Sequence, residues 1–116
     1  MYTKEKALTV LKEVYVLCSE LFAHKICLTY LYGSYAREEQ NAASDIDIFL
    51  TVELTQEQIR AHRQALASIT SELSLKYDIT VSVTVKNHEH FLQYAKVLPY
   101  YQNVLAEGIL YKPHAD

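Results

Sequence analysis

The stretch of sequence that decides the fold is residues 44–52, which read Ser44-Asp45-Ile46-Asp47-Ile48-Phe49-Leu50-Thr51-Val52. Because side chains alternate between the two faces of a β-strand, this pattern predicts a strand over residues 46–52. One face is apolar and consists of Ile46, Ile48 and Leu50. The other carries Asp45 and Asp47 beside Phe49. A carboxylate in so apolar a strand needs a partner, and a metal ion is the simplest one.

Two further strands are predicted on either side of this stretch. Residues 26–32 are β-branched, aromatic and aliphatic without helical period, which predicts a buried strand that stops at Gly33. Asp78 is predicted to open a third strand over residues 78–85, with Asp78 and three small hydroxyl side chains on one face. A face of small polar groups headed by a carboxylate is typical of the floor of a binding site.

Helical patterns lie between and after these strands. Thr3 is a plausible N-cap, and Thr55-Gln56-Glu57-Gln58 has the form of a capping box. The predicted helices are residues 3–22, 55–75, 88–96 and a segment from Pro99 that Gly108 ends. This order predicts an α/β or α+β fold, a small mixed β-sheet covered by helices.

Length and composition limit the class of protein. The chain has 116 residues, of which 50% are hydrophobic, and this predicts a single domain over residues 1–116. A net charge of −3 without a polybasic run argues against a broad nucleic-acid surface. No apolar stretch approaches the length of a membrane span, and the first residues lack the apolar block of a signal peptide. We therefore expect a cytoplasmic protein.

Residues 31–38, Leu31-Tyr32-Gly33-Ser34-Tyr35-Ala36-Arg37-Glu38, combine a strand end with features that suit a phosphate. Gly33 lets an anion approach the main chain, and Ser34 can cap the following turn or offer its hydroxyl. Arg37, one turn further on, can place its planar donors over the same phosphate oxygens. Taken alone, Gly-Ser is more often a simple turn and Arg37 a solvated charge.

Three carboxylates are candidate metal ligands. Asp45 and Asp47 are spaced to lie on one face of a strand, as needed to hold Mg²⁺, although an isolated Asp-x-Asp is more often solvated. If the strand of Asp78 is adjacent to the strand of Asp45 and Asp47, the three carboxylates converge at one end of the sheet. Such a trio can hold two divalent ions for phosphoryl chemistry. Asp78 would then be the general base, whereas a lone Asp at a strand start is a turn residue.

The chain resembles the DNA polymerase β-like nucleotidyltransferase superfamily in its combination of a Gly-Ser turn, an Asp-x-Asp pair and a later Asp, set within this order of strands and helices. More closely, the chain resembles the minimal nucleotidyltransferases, short bacterial proteins often encoded beside a HEPN-domain protein as the antitoxin of a toxin–antitoxin pair. The resemblance is carried by residues 33–37 and 44–48, by Asp78, and by residues 98–109. It implies a nucleotidyltransferase palm with Asp45 and Asp47 as Mg²⁺ ligands, Asp78 as the metal-linked base, and Gly33, Ser34 and Arg37 as the triphosphate cradle.

The same resemblance implies transfer of AMP from ATP to a hydroxyl of a HEPN-type toxin, with two Mg²⁺ ions and release of pyrophosphate. Two alternatives stay open: an antitoxin that neutralises a HEPN ribonuclease by occlusion, and a small-molecule (antibiotic) nucleotidyltransferase that acts as an oligomer. Since 116 residues leave no room for a separate acceptor-binding domain, we expect the acceptor to dock by itself. Glu38 follows the arginine where the family commonly has glycine, which predicts weaker attraction for a triphosphate.

Overall fold

The computed structural model describes residues 3–37, 39–41 and 44–113 of the chain. Four strands form one sheet in the order β3-β2-β1-β4. They are β1 (Ile26–Tyr32), β2 (Ile46–Val52), β3 (Val81–Asn87) and β4 (Ile109–Leu110). β1 runs antiparallel to β2 and β4, whereas β2 and β3 are parallel. The predicted small mixed sheet is therefore confirmed, with β1 and β2 at the bounds that the sequence indicated.

Six helices are found in the described residues. They are α1 (Lys4–Leu21), α2 (Ser34–Arg37), α3 (Gln56–Ala61), α4 (Arg63–Tyr77), α5 (His88–Tyr94) and α6 (Pro99–Glu107). Thr3 caps α1, and the capping box at Thr55 begins α3 as predicted. Gly108 ends α6, also as predicted. No helix in these ranges is both long and apolar enough to cross a membrane.

The single helix predicted over residues 55–75 is in fact two helices, broken at His62. The His62 ring donates from Nδ1 to the Gln58 carbonyl oxygen at 2.7 Å. A continuous α-helix would use that oxygen for the backbone N–H of His62, which instead bonds to the carbonyl of Ile59 at 3.1 Å. The side chain therefore competes with the helical backbone, and α4 begins as a separate helix that continues to Tyr77.

Helices cover both faces of the sheet. α1 and α4 pack over the face that carries Ile46, Ile48 and Leu50, all of which are buried. On the opposite face, Phe49 lies with its ring centroid 5.4 Å from that of Phe91 in α5. Burial of each such large side chain stabilises the fold by about 1.5 to 3 kcal/mol. Asp47 shares the face of Phe49, so the predicted acidic positions lie on the side covered by α5 and α6.

Asp78 does not open the third strand, so this prediction is wrong. Asp78 is the C-cap of α4 with φ 52° and ψ 45°, and β3 begins three residues later at Val81. Aspartate tolerates this left-handed conformation better than most residues because its short polar side chain can form local hydrogen bonds. The alternating pattern of residues 78–85 marks which side chains share a face, but it does not mark where the backbone leaves the turn.

A carboxylate of α1 links this helix to the end of α4. Glu13 accepts a hydrogen bond from Lys76 Nζ at 2.7 Å and another from the hydroxyl of Tyr77. These bonds, first the one from Lys76, lower the pKa of Glu13 below its usual 4.5, although burial acts in the opposite direction. Because the folded-state pKa is depressed, this contribution to stability is present above pH 4.5 and is lost as the pH falls through that pKa.

We expect Glu13→Gln to lower the melting temperature at about pH 7 by no more than about 4 °C, since the pair with Lys76 is partly exposed. The difference from the wild type should shrink as the pH falls below 4.5, where the wild-type carboxyl becomes protonated. Thermal unfolding of both proteins at several pH values measures this. Glu72→Gln, an exposed change on α4, is the control; a difference that grows toward low pH would contradict the interpretation.

Candidate active site

Gly33 and Asp47 are in contact where β1 ends beside the start of β2. Tyr32, the last residue of β1, is the register partner of Asp47. Gly33 follows with φ 80°, and a Cβ added there would lie 2.5 Å from Oδ2 of Asp47. Position 33 therefore requires glycine for two reasons, the left-handed backbone and the approach of the Asp47 carboxylate.

The Gly-Ser turn leads directly into α2, which is a single helical turn. The Gly33 carbonyl accepts from the backbone N–H groups of Ala36 at 3.1 Å and Arg37 at 3.2 Å. Tyr35 is only 1% exposed and anchors the turn in the core, whereas Arg37 is exposed. The structure thus brings the predicted residues Gly33, Ser34 and Arg37 together next to Asp47.

The surroundings of Asp45 and Asp47 compensate their negative charge poorly. Asp47 is partly buried and Asp45 is exposed. Burial, and then the negative charge of Asp45, raise the pKa of Asp47, while the positive charge of Arg37 acts in the opposite direction. A raised pKa means that the surroundings compensate the ionised carboxylate poorly. Two carboxylate groups on one strand face are a donor set that suits one divalent cation, which would supply the missing charge.

Asp78 is not brought to this pair. Ser82 is the register partner of Asp47 on β3, and the Ile46 backbone N–H donates to the Thr80 carbonyl at 2.9 Å. The residues beside Asp45 and Asp47 on the neighbouring strand are therefore Thr80 and Ser82. Within residues 3–37, 39–41 and 44–113, no three Asp, Glu, His or Cys side chains are grouped to hold a metal ion. The expected convergence of three carboxylates is wrong, because Asp78 belongs to the turn before β3.

A cavity of about 410 Å³ opens beside Asp47, on the sheet face covered by α6. It is lined by Tyr32, Asp47, Ile48, Ser82, Thr84, Tyr100 and Asn103. The rings of Tyr32 and Tyr100 are stacked with their centroids 5.8 Å apart. The hydroxyl side chains of β3 line a cavity, as the sequence predicted. The contributions of Tyr100 and Asn103 were missed. The available signals were their place in the segment 98–109 that carries the resemblance and their separation by three positions on α6.

Arg37 is held by two carboxylates in the structure. Its Nε lies 2.6 Å from Glu39 Oε1, and its Nη1 lies 3.0 Å from Glu107 Oε2 at the end of α6. These hydrogen bonds raise the pKa of Arg37 and occupy donors that a phosphate would otherwise use. Neither contact is indicated by a local sequence pattern. Glu38, whose effect on nucleotide binding was predicted, lies outside the described residues, so that effect stays a prediction.

We expect Glu107→Gln to lower the dissociation constant for a non-hydrolysable ATP analogue by about twofold to fivefold, because it removes one of the two charges that compete for Arg37. Titration calorimetry measures the change. Glu20→Gln is the matched control, since it removes an exposed acid near the end of another helix, α1. Equal tightening in both variants would attribute the effect to net charge and contradict a specific role for Glu107.

Comparison with known proteins agrees with this arrangement. A family profile described as "Polymerase beta, Nucleotidyltransferase" matches residues 17–109. A protein of Methanocaldococcus jannaschii named "Putative protein adenylyltransferase MJ0141" is 33% identical over 73 residues, which cover 63% of this chain and 72% of the relative.

Solved structures show the same fold. The toxin–antitoxin pair MntA–HpeT, in two mutant forms, superposes with a TM-score of 0.54 at 21% and 23% identity, covering 94% and 97% of this chain and 72% and 73% of the other. A toxin–antitoxin structure with AMP-PNP gives a TM-score of 0.54 at 23% identity, covering 94% of this chain and 72% of that one.

The Gly-Ser turn and the paired carboxylates lie within the span that the nucleotidyltransferase profile matches. The family match extends over most of the described residues, and it includes both strands of the site. This chain belongs to the polymerase beta nucleotidyltransferase family.

Proposed function

We propose that this nucleotidyltransferase transfers AMP from ATP to a hydroxyl group of a partner protein. The observation that carries the proposal is the contact between Gly33 and Asp47 beside the 410 Å³ cavity. Through this contact the Asp47 carboxylate lies between the Gly-Ser turn and a space for a ligand. The name of the relative from M. jannaschii supports AMP as the transferred group and a protein as the acceptor.

In the proposed reaction, the acceptor oxygen forms a bond to the α-phosphorus of ATP. The bond from that phosphorus to the oxygen bridging to the β-phosphate breaks, pyrophosphate leaves, and the hydroxyl proton passes to solvent. A bound Mg²⁺ would neutralise charge that develops on the phosphates. Asp45 and Asp47 would hold and orient the ion, and Gly33 and Ser34 would lie next to the phosphates, with Ser34 offering its hydroxyl to them. Arg37 binds phosphate oxygens after it exchanges its carboxylate partners for them.

The adenosine part of the nucleotide is proposed to occupy the cavity beside Asp47. Its volume of about 410 Å³ falls within the range of small-molecule sites. Tyr32 and Tyr100 line it with aromatic rings, on which a nucleobase stacks favourably, and Asn103 offers an amide for hydrogen bonds to the base. The toxin–antitoxin structure with AMP-PNP, which shares this fold, supports a nucleotide as the ligand.

The partner is proposed to be a HEPN-type toxin encoded nearby. Three solved structures that share the fold are of toxin–antitoxin proteins. In this chain, three apolar side chains at the junction of α5 and α6 are exposed, namely Val97 at 67%, Leu98 at 37% and Tyr100 at 41%. Exposed apolar side chains beside a ligand cavity suit contact with a second protein. We propose that residues 1–116 act as a single domain toward that partner.

The deciding experiment is to incubate the protein with labelled ATP and Mg²⁺, with and without the candidate toxin, and to record which species gains the mass of AMP. Label on the toxin alone is the expected result. No labelled species, together with neutralisation of the toxin by the Asp45→Asn/Asp47→Asn double variant, would replace the proposal with neutralisation by occlusion. An adenylylated antibiotic formed without a partner would replace it with small-molecule transfer.

A further inference from the structure

We propose that the site holds one divalent ion rather than two, because Thr80 and Ser82 occupy the positions from which a third carboxylate would complete a second ion site. This inference rests on the proposed function, since it concerns the ion that Asp45 and Asp47 bind together with the nucleotide. It also assigns to Thr80 and Ser82 the role of limiting metal binding.

The register of the sheet determines which side chains face Asp47. Residues paired across neighbouring strands point to the same face with their backbones about 5 Å apart. On β3, the partner of Asp47 is Ser82, which also lines the same cavity. On β1, the partner is Tyr32, followed by Gly33. Neither strand that flanks Asp47 therefore offers it a second carboxylate.

Asp45, like Asp47, lies beside a hydroxyl side chain, which for Asp45 is on the segment that leads into β3. The Ile46 backbone N–H, one residue further along the chain, donates to the Thr80 carbonyl at 2.9 Å, which places Thr80 alongside Asp45. Thr80 and Ser82 are both exposed. Their hydroxyls are neutral ligands. A divalent ion with only neutral protein ligands is held far more weakly than one with carboxylates.

Asp78 is held away from these positions by the turn that it forms. Its backbone N–H and that of Ile79 both bond to the Ser74 carbonyl, the latter at 3.2 Å. The Ser74 hydroxyl accepts from the Val81 backbone N–H at 2.9 Å, so the whole turn is fastened to the end of α4. Asp78 is exposed there and lies three residues before the first residue of β3.

One ion suffices to bind the nucleotide at such a site. Mg²⁺ is commonly held by one or two carboxylates together with substrate phosphates, which matches Asp45, Asp47 and a triphosphate. Two-metal sites, in contrast, hold ions about 3.5 to 4 Å apart. Two divalent ions at that distance repel each other strongly, so a second ion needs additional carboxylates to offset the repulsion. The residue on β3 that could supply such a ligand is a hydroxyl in this chain.

The test counts ions with Mn²⁺, which replaces Mg²⁺ and is detected by electron paramagnetic resonance, in the presence of a non-hydrolysable ATP analogue. The wild type should bind one Mn²⁺ for each bound nucleotide. Thr80→Asp or Ser82→Asp should add a second ion, with at least about tenfold tighter binding of that ion than the wild type shows. Asp78→Asn should leave the count at one, because asparagine also tolerates the left-handed conformation.

Two tightly bound ions in the wild type would overturn the proposal, as would loss of an ion in Asp78→Asn. Failure of both aspartate variants to gain an ion, when circular dichroism shows them folded, would overturn it as well. Failure of the proposed function looks different: Mn²⁺ and the nucleotide analogue would not bind, or the Asp45→Asn/Asp47→Asn variant would bind them as the wild type does. The two failures are thus distinguished by whether ions bind at the carboxylate pair and by how many.

Discussion

Replacement of both Asp45 and Asp47 by asparagine is expected to lower nucleotidyl transfer by on the order of a thousandfold or more. The two carboxylates are proposed to hold the ion that neutralises the phosphates. Asparagine keeps the shape of the side chain but removes the charge that attracts a divalent cation. The transfer assay with labelled ATP measures the loss directly.

The double variant is also expected to fold as well as the wild type in the absence of metal. Burial and the charge of Asp45 raise the pKa of Asp47, so the ionised pair is poorly compensated. Removal of both charges should therefore leave the melting temperature of the metal-free protein unchanged or raise it. The stabilisation that the wild type gains from Mg²⁺ and a nucleotide analogue should disappear.

Glu53→Gln is the matched control for this experiment. Glu53 follows the other end of β2, where its carboxylate accepts from Cys27 Sγ at 3.7 Å, and it does not line the cavity beside Asp47. This variant should keep both transfer and the stabilisation by Mg²⁺ and nucleotide. Full transfer by the Asp45→Asn/Asp47→Asn protein would refute the assignment of the metal ligands.

Gly33→Ala is expected to destabilise the protein. Backbone strain alone costs about 1 to 3 kcal/mol, and the expected loss is larger than that. The variant is also expected to lose binding of Mn²⁺ with nucleotide. With φ 80°, alanine is strained at this position, and its Cβ would lie 2.5 Å from Oδ2 of Asp47. The carboxylate must move to relieve that contact. Denaturant unfolding and titration of the metal measure the two effects separately.

A double-mutant cycle separates the backbone strain from the contact with the carboxylate. In an Asp47→Ala background the nearest remaining atom, Cβ of residue 47, is 3.5 Å away, which is an ordinary van der Waals distance. Gly33→Ala should then cost only the strain of the left-handed conformation, about 1 to 3 kcal/mol. An equal cost in both backgrounds would contradict a steric role for Asp47 and leave backbone strain as the whole effect.

Local patterns predicted those elements whose ends are marked by side chains. Thr3 and the Thr55 capping box located helix starts, and Pro99 and Gly108 located the two ends of α6. The apolar alternation over residues 46–52 predicted β2 with its correct bounds. The break at His62 could not be predicted in this way, because it depends on a ring nitrogen that competes with the backbone for the Gln58 carbonyl.

Some residues of the candidate site could likewise be predicted from local patterns, and others could not. Gly33, Asp45 and Asp47 could be predicted as candidates because residue type and spacing carry their chemistry, and in the structure Gly33 lies against Asp47. Glu107 was missed because it reaches Arg37 only after α6 packs back on β1, 70 residues along the chain. Tyr100 joins the cavity for the same reason, since no local pattern reports contacts between distant segments.

Asp78 shows most clearly what sequence patterns do not predict. Strand periodicity identified the β3 side chains that share a face, because alternation is a property of the local backbone. Which of these side chains lies beside Asp47 depends on the register between two strands more than 30 residues apart. β3 reaches that register after the turn that ends α4 at Asp78. By itself the sequence determined the family, the bounds of β1 and β2, and the carboxylate pair as a candidate site. Only the tertiary structure decided that Ser82 rather than Asp78 lies next to that pair, because strand pairing is a long-range contact.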